Sequence, residues 1–191
     1  MLNFNQYNNV TKIFVGDKVT ISNNNFSNKF NYMLNLINCT ISYENITDMY
    51  RTYYNCYNLT SFPNCGNNVT NMRFTYDSCH NLTGNPVCGN NVIDMYKTYE
   101  NCYNLTGNPM CGNNVIYMDN TYYHCYNLTG SPVCGNNVIY MRYTYENCYN
   151  LTGFPVCGDK VIYFGEAYYS CRNLIGNPVC GNNVTNMYQT Y

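Results

Sequence analysis

The sequence predicts an α/β repeat solenoid, with short strands on one face and short helical or 3-10 turns on the other. From Cys56 onward, its cysteines are separated by gaps that alternate between 9 and 14 residues, which defines a 23-residue period. Each unit also repeats a stripe of apolar residues spaced three and four apart, for example Val92, Met95, Tyr99 and Cys102. Repeats this short cannot bury their apolar side alone, so neighbouring units must stack on one another.

The period divides the chain into two parts. Residues 1–41 lack a clean period and are predicted to form an N-terminal cap with a degenerate repeat. Residues 42–191 hold the tandem units, with four full copies between Cys65 and Val156, a divergent copy over 157–179 and an incomplete unit over 180–191. Because solenoids usually cover their last coil with a polar cap, the uncapped C-terminal coil indicates either a truncated reading frame or a docking surface. If the chain is complete, we expect end-to-end self-association through this coil.

The two halves of each unit predict different local structures. In the first half, constant apolar columns alternate with variable polar ones, which is typical of a short helix or 3-10 segment with one face in the core. The second half, for example residues 105–112, is short and rich in Gly and Pro, and predicts a strand of three or four residues followed by a turn. The parity of this strand stays open, because either Leu82 and Val87 or Pro86 and Cys88 can form the inward pair.

The segment 68–83, NVTNMRFTYDSCHNLT, resembles the core of BspA-type leucine-rich repeats and, more closely, the related surface-lipoprotein repeat VTNMxxMFxxCxxLT. The similarity recurs in every unit over about three quarters of the chain. It implies a leucine-rich-repeat-like fold and a non-enzymatic surface or adhesion protein, of a kind found in gut and oral bacteria and on bacteriophage particles. Two features depart from the family: Tyr stands where it has Phe, and the strand half reads GNPVCG in place of alternating aliphatic residues.

Thirteen cysteines, twelve of them in two columns, allow three interpretations. Buried free thiols are favoured, because the count is odd and the resemblance implies a small buried Cys after the helical turn. Disulfides between stacked or facing coils are the alternative, since the spacing of stacked strands matches the Cα separation that a disulfide needs. A zinc site is disfavoured because no C-x-x-C motif occurs. We therefore expect no metal and no cofactor.

Composition argues against several functional classes. With a net charge of -1 and 10% charged residues, the chain lacks the basic surface that nucleic acid requires. No apolar run is long enough to span a membrane, and residues 1–10 do not read as a secretory signal. Catalysis has little support, because Cys79–His80 and His124–Cys125 are sequence neighbours, which rarely point together. We expect no enzymatic activity, and a virion-associated or surface-exposed location.

Two aromatic columns are the candidate binding residues. Stacked tyrosines give flat apolar area with a polar tip, at a low entropic cost. We predict a recognition or adhesion scaffold that binds a protein or glycan on a cell surface, with a bacteriophage tail as one setting. The alternatives are a structural spacer or virion decoration protein, in which the tyrosines only cover the core. The candidate residues are Tyr57, His80, Tyr103, Tyr126, Tyr149 and Arg172 in one column, and Tyr117, Tyr140 and Tyr163 in the other.

Overall fold

The computed structural model describes residues 9–16, 18–19, 21–177 and 179–190. Regular secondary structure in this part of the chain is brief. Strand β1 (Lys12–Val15) pairs in parallel with β2 (Asn38–Ile41), and a 3-10 turn at Ser22–Asn24 lies between them. The described residues contain no helix long and apolar enough to cross a membrane.

The tandem units form coils that hydrogen-bond to the coils before and after them. Met72 N donates to Asp94 O at 2.9 Å, and Met95 N donates to Tyr117 O at 2.9 Å. Parallel bridges join residues that are 23 apart, so equivalent positions of successive units lie in straight columns. The bridged residues are Asn25, Asp48, Asn71, Asp94, Tyr117, Tyr140, Tyr163 and Asn186. The assignment of these stacked coils to the leucine-rich-repeat-like class stays a prediction.

Each coil contributes the same set of side chains to one continuous core. Ile46, Met49, Tyr53, Cys56 and Leu59 are fully buried, and the matching residues of the next four coils are buried in the same way. The burial of these columns agrees with the apolar stripe read from the sequence. The core also extends into the predicted cap, because the ring of Phe30 stacks on that of Tyr53 with 5.6 Å between centroids.

The segment between Met and Cys was predicted to be a short helix or 3-10 turn, but the structure describes successive turns. Phe74 and Ser78 have φ values of 55° and 62°, and Lys97 and Asn101 repeat this pattern in the next coil. Left-handed residues interrupt a right-handed helix. They turn the backbone N–H groups toward the following coil, where Phe74 N donates to Tyr96 O at 3.0 Å. Inter-coil hydrogen bonds therefore alternate with local turn bonds, such as Thr75 N to Met72 O at 3.1 Å, and no continuous helix forms in this segment.

In the Gly- and Pro-rich half of the unit, burial matches neither of the two pairs that the sequence left open. Pro86 is buried and Cys88 is half-buried, whereas Val87 is 38% exposed. Leu82 is also buried, so Leu and Pro point into the same core and the residue after Pro points outward. Parallel bridges are concentrated just before the Met column, and the bridge Val156–Val179 is an isolated case in the Pro half.

The cysteines are free thiols, and the fully buried column ties each coil to the one before it. Cys102 Sγ donates to Tyr76 O at 3.1 Å, and Cys125 Sγ donates to Tyr99 O at 3.1 Å. Burial raises the pKa of both thiols well above the ordinary value, so they keep the proton that they donate. Cys at this position is therefore a small core residue with an inter-coil hydrogen bond.

Candidate binding surface

The first predicted aromatic column forms one unbroken stack along the coils. Ring centroids lie 4.6 Å apart for Tyr57–His80 and for His80–Tyr103. The stack continues at 5.2 Å to Tyr126 and then at 5.3 Å to Tyr149. The guanidinium of Arg172 ends it, 5.1 Å from the Tyr149 ring centroid. All six candidate residues of this column are therefore in contact in sequence order.

This stack offers a ligand mainly ring edges, because each inner ring face lies against its neighbour. The rings from Tyr57 to Tyr149 are within 18° of parallel. Partial burial lowers the pKa of His80, so its imidazole is neutral near pH 7. A sugar cannot lie flat on each inner tyrosine of this column, which limits the use of its apolar area for recognition.

The second predicted column is shorter and lies on a different part of the coil. Tyr117 and Tyr140 stack at 5.0 Å, and Tyr140 and Tyr163 stack at 4.8 Å. Arg142 lies 5.5 Å from the centroid of Tyr163 and pairs with Asp119, with 3.0 Å between Nη2 and Oδ2. The structure thus brings these three tyrosines together as a second ladder, separate from the first.

A groove runs beside the second ladder, and sequence reasoning did not identify it. Between inward Val115 and inward Met118 the chain has two residues that are not buried, Ile116 and Tyr117. The isoleucines at this position form the floor of two adjoining cavities of about 580 and 360 Å³. The sequence signal for this groove is an apolar residue at a position that is not part of the buried Val, Met, Tyr and Cys stripe. The floor residues are Thr70, Ile93, Ile116, Ile139, Ile162 and Thr185.

Asparagine side chains line the same groove in fixed orientations. Asn91 Nδ2 donates to Asn67 O at 2.9 Å, and Asn114 Nδ2 donates to Asn90 O at 2.9 Å. Asn137 repeats the contact at 2.8 Å, and its Oδ1 accepts from Lys160 Nζ at 2.7 Å. Because these amides are held by the preceding coil, a ligand would lose little affinity to the ordering of side chains.

The Cys–His neighbours that sequence reasoning considered for catalysis are separated by the core boundary. Cys79 is fully buried and donates to Tyr53 O at 3.2 Å, while His80 is only partly buried and stacks between Tyr57 and Tyr103. Burial raises the pKa of the Cys79 thiol, whereas an activated nucleophile needs a lowered one. Within the described residues no three His, Cys, Asp or Glu side chains are grouped to hold a metal ion.

Comparison with known proteins finds no matching family model, no matching curated protein and no matching solved structure. The resemblance to BspA-type repeats therefore depends on the repeat motif alone.

Proposed function

We propose that the chain is a non-enzymatic recognition or adhesion scaffold for a protein or glycan on a cell surface. The groove beside the second tyrosine ladder carries this proposal. Its floor is apolar, its asparagines are fixed, and it continues from Thr70 to Thr185 over successive coils. Grooves of this kind, with an apolar lining and a few placed polar groups, are the usual form of a binding site.

The contrast between constant and variable columns also supports recognition. Met or Phe occupies the same core column in each of the coils from Met49 to Phe164. The position just before it changes from Asp94 to Tyr117, and to Asn186 in the last described coil. A spacer needs only the constant core, whereas side chains that differ beside the groove can add ligand selectivity to contacts that repeat from coil to coil.

The test is the binding of fluorescently labelled protein to a panel of bacterial cells, including gut and oral species. We expect saturable binding to some species, competed by unlabelled protein and weakened by Ile116→Lys, which places a charge on the groove floor. The matched control is Met110→Val, at an exposed position outside the groove whose column holds Val87 and Val133 in the neighbouring coils. Absence of saturable binding to every species would favour the spacer or decoration role.

A further inference from the structure

We infer that the groove takes an extended, neutral polysaccharide of β-linked sugars, with one sugar ring for each coil. This ligand class rests on the proposed function and makes it specific. Three properties of the groove point to it: its repeat distance, the pairing of an apolar floor with fixed amides, and its low charge.

The repeat distance of the groove matches a sugar chain better than a peptide. The tyrosine ladder in the adjacent column repeats at 5.0 Å and 4.8 Å. An extended peptide places side chains of one face roughly 6.6 Å apart, so it loses register with the coils. A ribbon of β-linked pyranose rings advances by one ring over nearly the distance between coils. Successive rings can therefore make the same contacts with successive units.

The chemistry of each coil fits one sugar ring. A pyranose has apolar C–H surface, which matches Ile116 and Ile139, and hydroxyl groups, which match the asparagines. An amide nitrogen has two protons, and Asn114 uses one of them on Asn90 O. The second proton and the carbonyl oxygen are then placed for hydroxyl groups of a ligand. A bound α-helix uses its backbone polar groups internally, so it would need a matching polar side chain at every turn.

The groove is almost uncharged. Among the residues that line its two cavities, Lys160 is the one ionic side chain, and its Nζ already bonds to Asn137 Oδ1. A polyanion would meet a single cation along several coils, and a polycation would meet no carboxylate there. A neutral ligand has no charge that needs an oppositely charged partner in this groove, which favours an uncharged glycan.

The test is retention of the full chain on suspensions of cellulose, chitin, xylan and mannan, followed by affinity electrophoresis in the soluble forms. The groove variant is Ile116→Thr with Ile139→Thr, because the same column holds Thr70 and Thr185 in other coils. We expect binding to at least one polysaccharide, with the double variant roughly tenfold weaker because apolar contacts are lost. Met110→Val, which also copies a residue of its own column, should bind like the parent chain.

Lack of retention on every polysaccharide, or equal retention of the groove variant, would overturn this ligand class. Cell binding separates that failure from failure of the proposed function. If binding to cells survives periodate oxidation and is lost after protease treatment, the ligand is a protein: the glycan inference falls and the scaffold function stands. If neither cells nor polysaccharides bind the chain, both proposals fail. Loss of cell binding after periodate, with cell-surface proteins intact, supports the glycan.

Discussion

The molecule contains two long columns of stacked aromatic rings with the same 23-residue spacing and opposite roles. The buried column runs from Tyr53 to Tyr168, with centroids 5.3 to 5.5 Å apart. The outer column begins at Tyr57, four residues further along the chain. Only the buried rings are enclosed by the Met, Cys and Leu columns, so location relative to the core decides what a tyrosine does here.

The hydroxyl groups sharpen this difference. Tyr122 Oη donates to Met110 O at 2.7 Å and accepts from Met110 N at 3.0 Å. Tyr99 makes the same pair of contacts with the backbone of Val87. Tyr99 and Tyr122 therefore satisfy the backbone of the outward residue after Pro, which would otherwise lack a partner in this strand-poor half of the unit. In an earlier coil, Tyr76 Oη instead contacts Cys65 Sγ at 3.1 Å.

The largest expected effect is the removal of a buried ring. Tyr122→Ala leaves a cavity between Tyr99 and Tyr145, and should lower the free energy of unfolding by about 3–5 kcal/mol. Tyr126→Ala, in the outer column, should cost less than about 1 kcal/mol. Urea unfolding followed by circular dichroism measures both. Equal losses in the two variants would contradict the separation of roles.

The next effect isolates the hydroxyl group. Tyr122→Phe keeps the ring stack but leaves Met110 N and O without their partner, at a cost of about 1–3 kcal/mol. The control, Tyr126→Phe, should leave stability unchanged within about 0.5 kcal/mol. The same unfolding experiment applies. A neutral Tyr122→Phe would show that the ring alone is important and that the backbone contact contributes little.

Stability should also fall in alkaline solution. Burial raises the pKa of Cys134 to about 11 and of Cys111 to about 12, and raises that of Tyr122 as well. A group with a raised pKa in the folded state contributes full stability below its unfolded pKa and loses it as the pH rises through the folded value. The melting temperature should thus be flat near pH 7 and decline from about pH 9 upward. A melting temperature that rises above pH 9 would contradict the burial of these groups.

The smallest effect is expected in the outer column. Tyr103→His copies His80, which already stacks there at 4.6 Å, so stability should change by less than about 0.5 kcal/mol. A shift in melting temperature of a few tenths of a degree to about 2 °C is the corresponding observation. A loss comparable with that of Tyr122→Phe would mean that the outer stack is structural.

Sequence reasoning succeeded where one residue type repeats at a fixed spacing. The 3, 4, 3 spacing around Tyr99 identified columns that are buried, because inward positions tolerate little variation. It did not identify the left-handed residues Phe74 and Ser78, since helical spacing of apolar residues does not reveal a left-handed backbone. The bonds that favour this backbone come from the next coil, 22 residues away, and a local pattern does not show them.

For the candidate site, the sequence predicted the tyrosine columns but not the groove. The columns of Tyr103 and Tyr117 follow from the repeat, and the structure stacks both. The groove was missed because Ile116 reads as one more apolar residue beside Val115. Ile116 lies outside the core because it and Tyr117 are two consecutive residues between the buried Val115 and Met118. Only the path of the chain through the coil shows this.

Spectrophotometric titration of the tyrosines, with circular dichroism recorded at each pH, tests the central comparison most directly. Burial raises the pKa of Tyr53, Tyr76 and Tyr99 well above the ordinary value, and of the remaining buried tyrosines in their column. Two classes of hydroxyl are therefore predicted: one that ionises while the fold is intact, and one that ionises only as the chain unfolds. Ionisation of all tyrosines in a single step, with the circular dichroism unchanged, would contradict the account.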